Sequence, residues 1–117
     1  VRKVVVTAEL QRRVEGDRRF QAARRASAGC RDAGPEWREA ALCTSAPDPD
    51  LFFPAGPEDL EPARRVCRTC PVAGACLAEA LGRAEIDGVW GGTTSAERRT
   101  MRAVWRLASR PQLPAAV

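Results

Sequence analysis

Five cysteines are the soft, redox-active side chains of this 117-residue sequence, and three of them are closely spaced as Cys67-x₂-Cys70-x₅-Cys76. A two-residue gap lets two thiolates turn toward one centre from the end of a helix, and the third arrives from the helix that follows. Such a set calls for a fourth thiolate, whether the centre is a Cys₄ zinc site or a cubane iron–sulfur cluster. Cys30 and Cys43 are the two candidates. Cys43 follows an expected helix and precedes an apolar loop, inside the region that reads as folded; Cys30 sits at the edge of a basic segment and reads as a spare reduced thiol. Structural zinc sites usually use two short Cys-x₂₋₄-Cys knuckles, and only one exists here. The asymmetric set Cys43, Cys67, Cys70 and Cys76 therefore favours iron, with zinc left open. A cubane with four thiolates carries about two negative charges, so N–H donors should surround it.

The residues that are missing narrow the chemistry. There is no histidine, no tyrosine and a single lysine, Lys3. A Ser–His–Asp triad, a Cys–His pair, a Cys₂His₂ finger and a Rieske-type centre are excluded, and the chain reads as a binding protein rather than an enzyme. One enzymatic alternative survives: Cys67-x₂-Cys70 is spaced like a dithiol redox motif, so a cluster-free form would suit disulfide exchange, although no strand-rich pattern surrounds it. A zinc-holding interaction module is the other alternative. Val4-Val5-Val6 is too short for a signal peptide and no run reaches the length of a membrane span. A cytoplasmic location is expected, where clustered thiols stay reduced and point to metal or redox chemistry; no membrane and no small-molecule substrate are expected.

Charge is unevenly placed along the chain. The formal net charge is +4, but residues 1–31 carry nine Arg/Lys against three acids, residues 32–87 five against eleven, and residues 88–117 five against one. An acidic middle between basic ends suits an anionic partner for the ends, with nucleic acid foremost. The span that reads as globular, Trp37 to Leu107, is only about 70 residues, a size at which a metal commonly supplements packing.

The elements that must position the cysteines are helices and loops. An all-α fold is expected, a small bundle of about four short helices around the metal centre with basic terminal arms. Residues 1–34 read as a basic N-terminal arm, loosely helical or disordered: helix formers are present, but Arg12-Arg13, Arg18-Arg19 and Arg24-Arg25 recur every six residues, a period that matches neither 3.6 nor 7. Residues 35–93 read as the folded domain and residues 94–117 as a basic C-terminal helix and tail. Within the domain a short helix is expected from Pro35 to Leu42 with Trp37 in the core. A proline-rich loop then carries the apolar triplet Leu51-Phe52-Phe53, which needs a surface to pack on. A helix is expected from Glu58 to Cys67, with acids first and Arg64-Arg65 last, and another from Val72 to Ile86 beyond the break at Pro71. Three glycines make Gly88-Val89-Trp90-Gly91-Gly92 a turn that lifts Trp90 clear as a partner anchor. Phe52 and Phe53 are candidates for the same surface or for shielding the cluster. Thr94 and Glu97 form a capping box for a last helix whose inward face is Met101, Val104, Trp105 and Ala108. Arg98, Arg99, Arg102, Arg106 and Arg110 are expected on its outward face, touching DNA phosphates.

These motifs, in this order, resemble the WhiB-like family of actinobacterial transcriptional regulators: Trp37-x₅-Cys43, the loop Asp48-Pro49-Asp50-Leu51-Phe52-Phe53-Pro54, Cys67-x₂-Cys70-Pro71-Val72-x₃-Cys76-Leu77, and Gly88-Val89-Trp90-Gly91-Gly92. The resemblance implies one 4Fe–4S cluster per chain, bound by Cys43, Cys67, Cys70 and Cys76 and responsive to oxygen and nitric oxide. It implies that the Gly88–Gly92 turn docks on region 4 of the principal sigma factor of RNA polymerase, and that the basic C-terminal segment meets DNA. Cluster-free members of the family have been described as disulfide reductases. No Arg-Gly-Arg-Pro hook for AT-rich minor grooves follows the turn, and Cys30 and the long basic arm lie outside the family pattern.

Overall fold

Thr7 starts the first helix: its Oγ1 accepts the Leu10 amide at 3.1 Å, satisfying one first-turn donor, and α1 spans Ala8–Glu15. Asp17 prepares the second, its Oδ1 accepting the Arg19 amide at 2.9 Å, and α2 spans Arg18–Ala28. The computed structural model describes residues 4–28, 40–42, 49–83 and 87–109. Beyond α2 it contains α3 (Leu60–Thr69), α4 (Ala73–Gly82) and α5 (Ser95–Ser109), with 3₁₀ turns at Pro49–Phe52 and Pro57–Asp59. Among the described residues the one β-type pairing is an isolated bridge between Trp90 and Thr93. The fold is all-α, as expected. No helix of the described residues is long and apolar enough to cross a membrane. The expected helix at Pro35–Leu42, with Trp37, falls outside the described residues except for 40–42.

Three helix boundaries differ from expectation. The residues expected to open α3 form the 3₁₀ turn Pro57–Asp59 instead, and the helix continues past Cys67 to Thr69. Pro71 then ends it by holding Cys70 extended, at φ −74° and ψ 125°, as the residue before a proline must be. Helix α4 stops at Gly82, short of the expected Ile86, where Arg83 turns extended and Arg102 takes up the carbonyls of Ala80, Leu81 and Arg83.

The N-terminal segment differs most from expectation. Residues 8–28 are not an arm; they are two helices of the folded body. Leu10 and Val14 lie at i, i+4 and Phe20 and Ala23 at i, i+3, each pair making a narrow apolar stripe that the recurring arginine pairs obscure. Phe20 and Ala23 are fully buried and join Leu77, Leu81, Met101 and Val104 in the larger of two cores among the described residues. Helix α2 packs chiefly on α4, and α1 on α5 and α2. The Phe20 and Trp105 rings meet edge to face, with centroids 5.8 Å apart at 88°, a geometry that adds about 0.5–1.5 kcal/mol to burial. The smaller core joins Phe52, Ala63 and Val89, with Leu51, Leu60, Val66 and Cys67 packed against it. Leu51 and Phe52 of the apolar loop triplet find their surface there, on α3 and the glycine-rich turn, while Phe53 stays exposed.

Candidate metal centre and partner surface

Three of the predicted ligands sit at the corner between α3 and α4. Cys67 occupies the last turns of α3, Cys70 caps it and Cys76 lies in α4; all three are partly buried. The corner is held by backbone bonds: the Cys70 amide donates to the Cys67 carbonyl at 3.1 Å, Ala73 to Cys70 at 3.3 Å and Cys76 to Val72 at 2.9 Å. Cys43 and Cys30 lie outside the described residues. Among the described residues no three Cys, Asp or Glu side chains are grouped to hold a single metal ion. A cluster shares its thiolates among several irons and does not require that crowding. Positive charge is also at hand. Burial and then Arg102 lower the Arg98 guanidinium below its usual range, and Cys76 leads the groups acting in the opposite sense. The donor set, three soft and partly buried thiols at one corner, fits an iron–sulfur cluster in its chemistry.

Next to this corner stands the glycine-rich turn. Gly88, Gly91 and Gly92 have φ of 90°, 57° and 81°, values that side chains with a Cβ rarely adopt. Trp90 and Thr93 exchange backbone hydrogen bonds, both at 3.0 Å, and the Trp90 Nε1–H donates to the Asp87 carbonyl at 3.0 Å. The Val89 amide donates to the Phe52 carbonyl at 2.7 Å, and a Cβ on Gly88 would stand 2.8 Å from both that carbonyl oxygen and Phe53 Cε1. The residues expected at a partner surface therefore divide. Phe52, Val89, Gly91 and Gly92 are buried scaffold, Trp90 is half-buried, and Phe53 is 61% exposed. A groove of about 460 Å³ beside the turn is lined by Phe53, Pro54, Leu60, Val89 and Ser95 among others.

The arginines of α5 do not form one outward face. Arg98 is fully buried; its Nη1 donates to the Thr93 carbonyl at 2.6 Å and Oγ1 at 3.2 Å, and its Nη2 to the Gly88 carbonyl at 2.8 Å. Arg102 donates to the last carbonyls of α4, the shortest bond being 2.8 Å to Arg83. The expected outward placement of both is corrected: open backbone carbonyls in the turn and at the end of α4 draw these two guanidiniums inward. Arg99 and Arg106 are exposed, and Arg110 lies outside the described residues.

The capping box is present as expected. The Thr94 amide donates to Glu97 Oε1 at 3.0 Å and the Glu97 amide to Thr94 Oγ1 at 3.1 Å. Glu97 is also gripped by Arg19 from α2 and Arg64 from α3, at 2.9 and 2.8 Å, which no local pattern signals. Burial alone would raise the Glu97 carboxyl, but hydrogen bonds from Arg19, the Thr94 backbone and Arg64, with the Arg19 charge, hold it at about 2. Burial likewise opposes and Arg19 outweighs it at Asp17, whose carboxyl is lowered. Arg19 is raised, first by its bond to Asp17 and, against burial, by Glu97.

A family model described as "Transcription factor WhiB" matches residues 37–101. The transcriptional regulator WhiB1 of Bifidobacterium longum is 43% identical over 82 residues, covering 66% of this chain and 88% of that protein. WhiB2 of Mycolicibacterium smegmatis is 41% identical over 76 residues, 61% of this chain, which spans 58% of that longer relative. WhiB of Streptomyces coelicolor is 41% identical over 66 residues, 56% of this chain and 75% of that protein. No solved structure matches the chain.

Proposed function

The chain belongs to the WhiB family of transcription factors, and from that premise we propose that it regulates transcription with one 4Fe–4S cluster on Cys43, Cys67, Cys70 and Cys76 and a sigma-factor surface at the Gly88–Gly92 turn. The observation that carries this reading is the common packing beneath both sites. Cys67 packs against the small core of Phe52, Ala63 and Val89, and a Cβ on Gly92 would lie 3.6 Å from that of Cys67. A candidate ligand and the candidate partner turn are thus neighbours. Bound at the α3–α4 corner, the cluster would supply a centre that reacts with oxygen and nitric oxide.

The protein's own residues do the rest. Cys67 and Cys70 hold the end of α3, and any shift of that end moves the core on which Val89 and Phe52 rest. Trp90 and exposed Phe53 are the anchors for region 4 of the principal sigma factor, since aromatic rings beside a groove make binding hot spots. Exposed Arg99 and Arg106 supply phosphate contacts to promoter DNA, adding affinity rather than base choice. The relatives' names, all of transcriptional regulators, favour this reading over disulfide reduction. Calorimetric titration of region 4 into anaerobic holoprotein and into cluster-free protein tests it. Binding at least tenfold tighter for the holoprotein is expected; equal affinities overturn the reading.

A further inference from the structure

The matched residues begin at 37, so the proposed function leaves α2 without a task. Arg19 gives it one. Its Nη1 donates to the Gly92 carbonyl at 2.7 Å and its Nη2 to Glu97 Oε2 at 2.9 Å. Asp17 grips the same guanidinium from the other side, accepting from Nε at 3.1 Å and from Nη2 at 2.8 Å. The planar fork is engaged along both edges, which fixes its orientation as a point charge could not be fixed. Arg64 reaches the same two acceptors, but its bond to the Gly92 carbonyl is long, 3.4 Å. Arg19 is therefore the closer grip on the end of the turn.

Helix α2 is itself firmly placed. A Cβ on Gly74 would come within 2.6 Å of the Ala22 carbonyl oxygen, so α2 and α4 meet backbone to backbone. Phe20, the residue after Arg19, is fully buried. A turn with three positive-φ glycines has few side chains of its own to fix it. Its shape depends on the groups that hold its carbonyls.

We propose that Arg19 is a positioning residue for the partner surface: through Gly92 and Glu97, α2 locks the Gly88–Gly92 turn in the shape that presents Trp90. This rests on reading the turn as the sigma-factor surface, yet the lock itself is measurable without any partner. Hydrogen–deuterium exchange is followed in the full chain for Arg19→Met and Arg19→Lys, with Arg12→Met as a surface control. The Trp90 and Thr93 amides should exchange at least fivefold faster in Arg19→Met, with Lys, which keeps the charge but not the fork, restoring only part of the protection. The core amides of Leu77 and Val104 should keep the parental rate. Parental exchange at the turn in Arg19→Met overturns the proposal. If that variant loosens the core as well, Glu97→Gln decides: faster exchange confined to the turn supports the lock, and an unaltered turn rejects it. Titration with sigma region 4 then separates the two ideas. A parental chain that does not bind refutes the partner reading while leaving the exchange result to judge the lock. A parental chain that binds no better than Arg19→Met refutes the positioning role.

Discussion

The Arg98 guanidinium donates to the carbonyl of Gly88, ten residues earlier, at 2.8 Å, and so ties the first turns of α5 to the entry of the glycine-rich turn. The same side chain holds the exit through the Thr93 carbonyl. One buried cation thus braces both ends of the candidate partner surface. Arg98→Met removes these charge-assisted bonds, each worth about 1.5–3 kcal/mol, and leaves the Gly88 carbonyl without this donor. A loss of about 2–4 kcal/mol is expected in urea unfolding, seen as a lower midpoint with an unaltered slope. A loss below about 1 kcal/mol, within the spread of ordinary surface substitutions, would mean that the brace is not what holds the turn.

The exposed arginines of α5 should behave differently. Arg99→Gln with Arg106→Gln is expected to leave stability near the parental value and to weaken DNA association. The slope of log affinity against log salt should flatten by about 1.8, or about 0.9 for each phosphate no longer neutralised. Filter binding or fluorescence anisotropy across a salt series measures it, and a slope equal to the parent's removes these residues from the DNA surface.

Acid sensitivity follows from Glu97. Its folded carboxyl sits at about 2, against 4.5 as the ordinary value. A carboxylate depressed on folding contributes stability above its unfolded pKa and loses it as pH falls through the folded one. Asp17 is lowered too and acts in the same sense. Unfolding free energy should therefore hold between pH 7 and about 5 and decline from about 4.5 toward 2. Glu97→Gln should be less stable at neutral pH and show a shallower acid decline; an acid limb as steep as the parent's contradicts the assignment.

Phe20 tests whether the N-terminal helices belong to the folded body. Its ring is fully buried and stacks edge-on against Trp105. Phe20→Ala should cost about 3–5 kcal/mol, as for other buried aromatics, read from thermal or urea unfolding. A residue in a detached arm would cost almost nothing.

What the sequence made legible was local. The capping box of Thr94 and Glu97, the glycine-rich turn and the break at Pro71 each rest on residues within a few positions of one another, and each stands where it was expected. The packing of helix α2 into the body was hidden because its inward stripe is only Phe20 and Ala23, set among arginines that dominate the pattern. The inward turn of Arg98 and Arg102 was hidden for another reason. A helical wheel assigns charge to the outside, but the acceptors that draw these side chains in belong to a different helix and to the turn before α5. The pairing of Arg19 with Glu97 spans 78 positions, and no spacing rule reaches that far. Arg19 looked like half of a basic pair and is in fact a tertiary contact.

Four thiolates holding one cluster stand at the centre of the proposed function, and metal analysis addresses them directly. Protein purified without oxygen should carry about four irons and four sulfides per chain. Serine at any one of Cys43, Cys67, Cys70 or Cys76 should deplete both, and serine at Cys30 should deplete neither. A parental chain that carries a single zinc and no sulfide, or a Cys43→Ser chain that keeps its full complement of iron, would contradict the account.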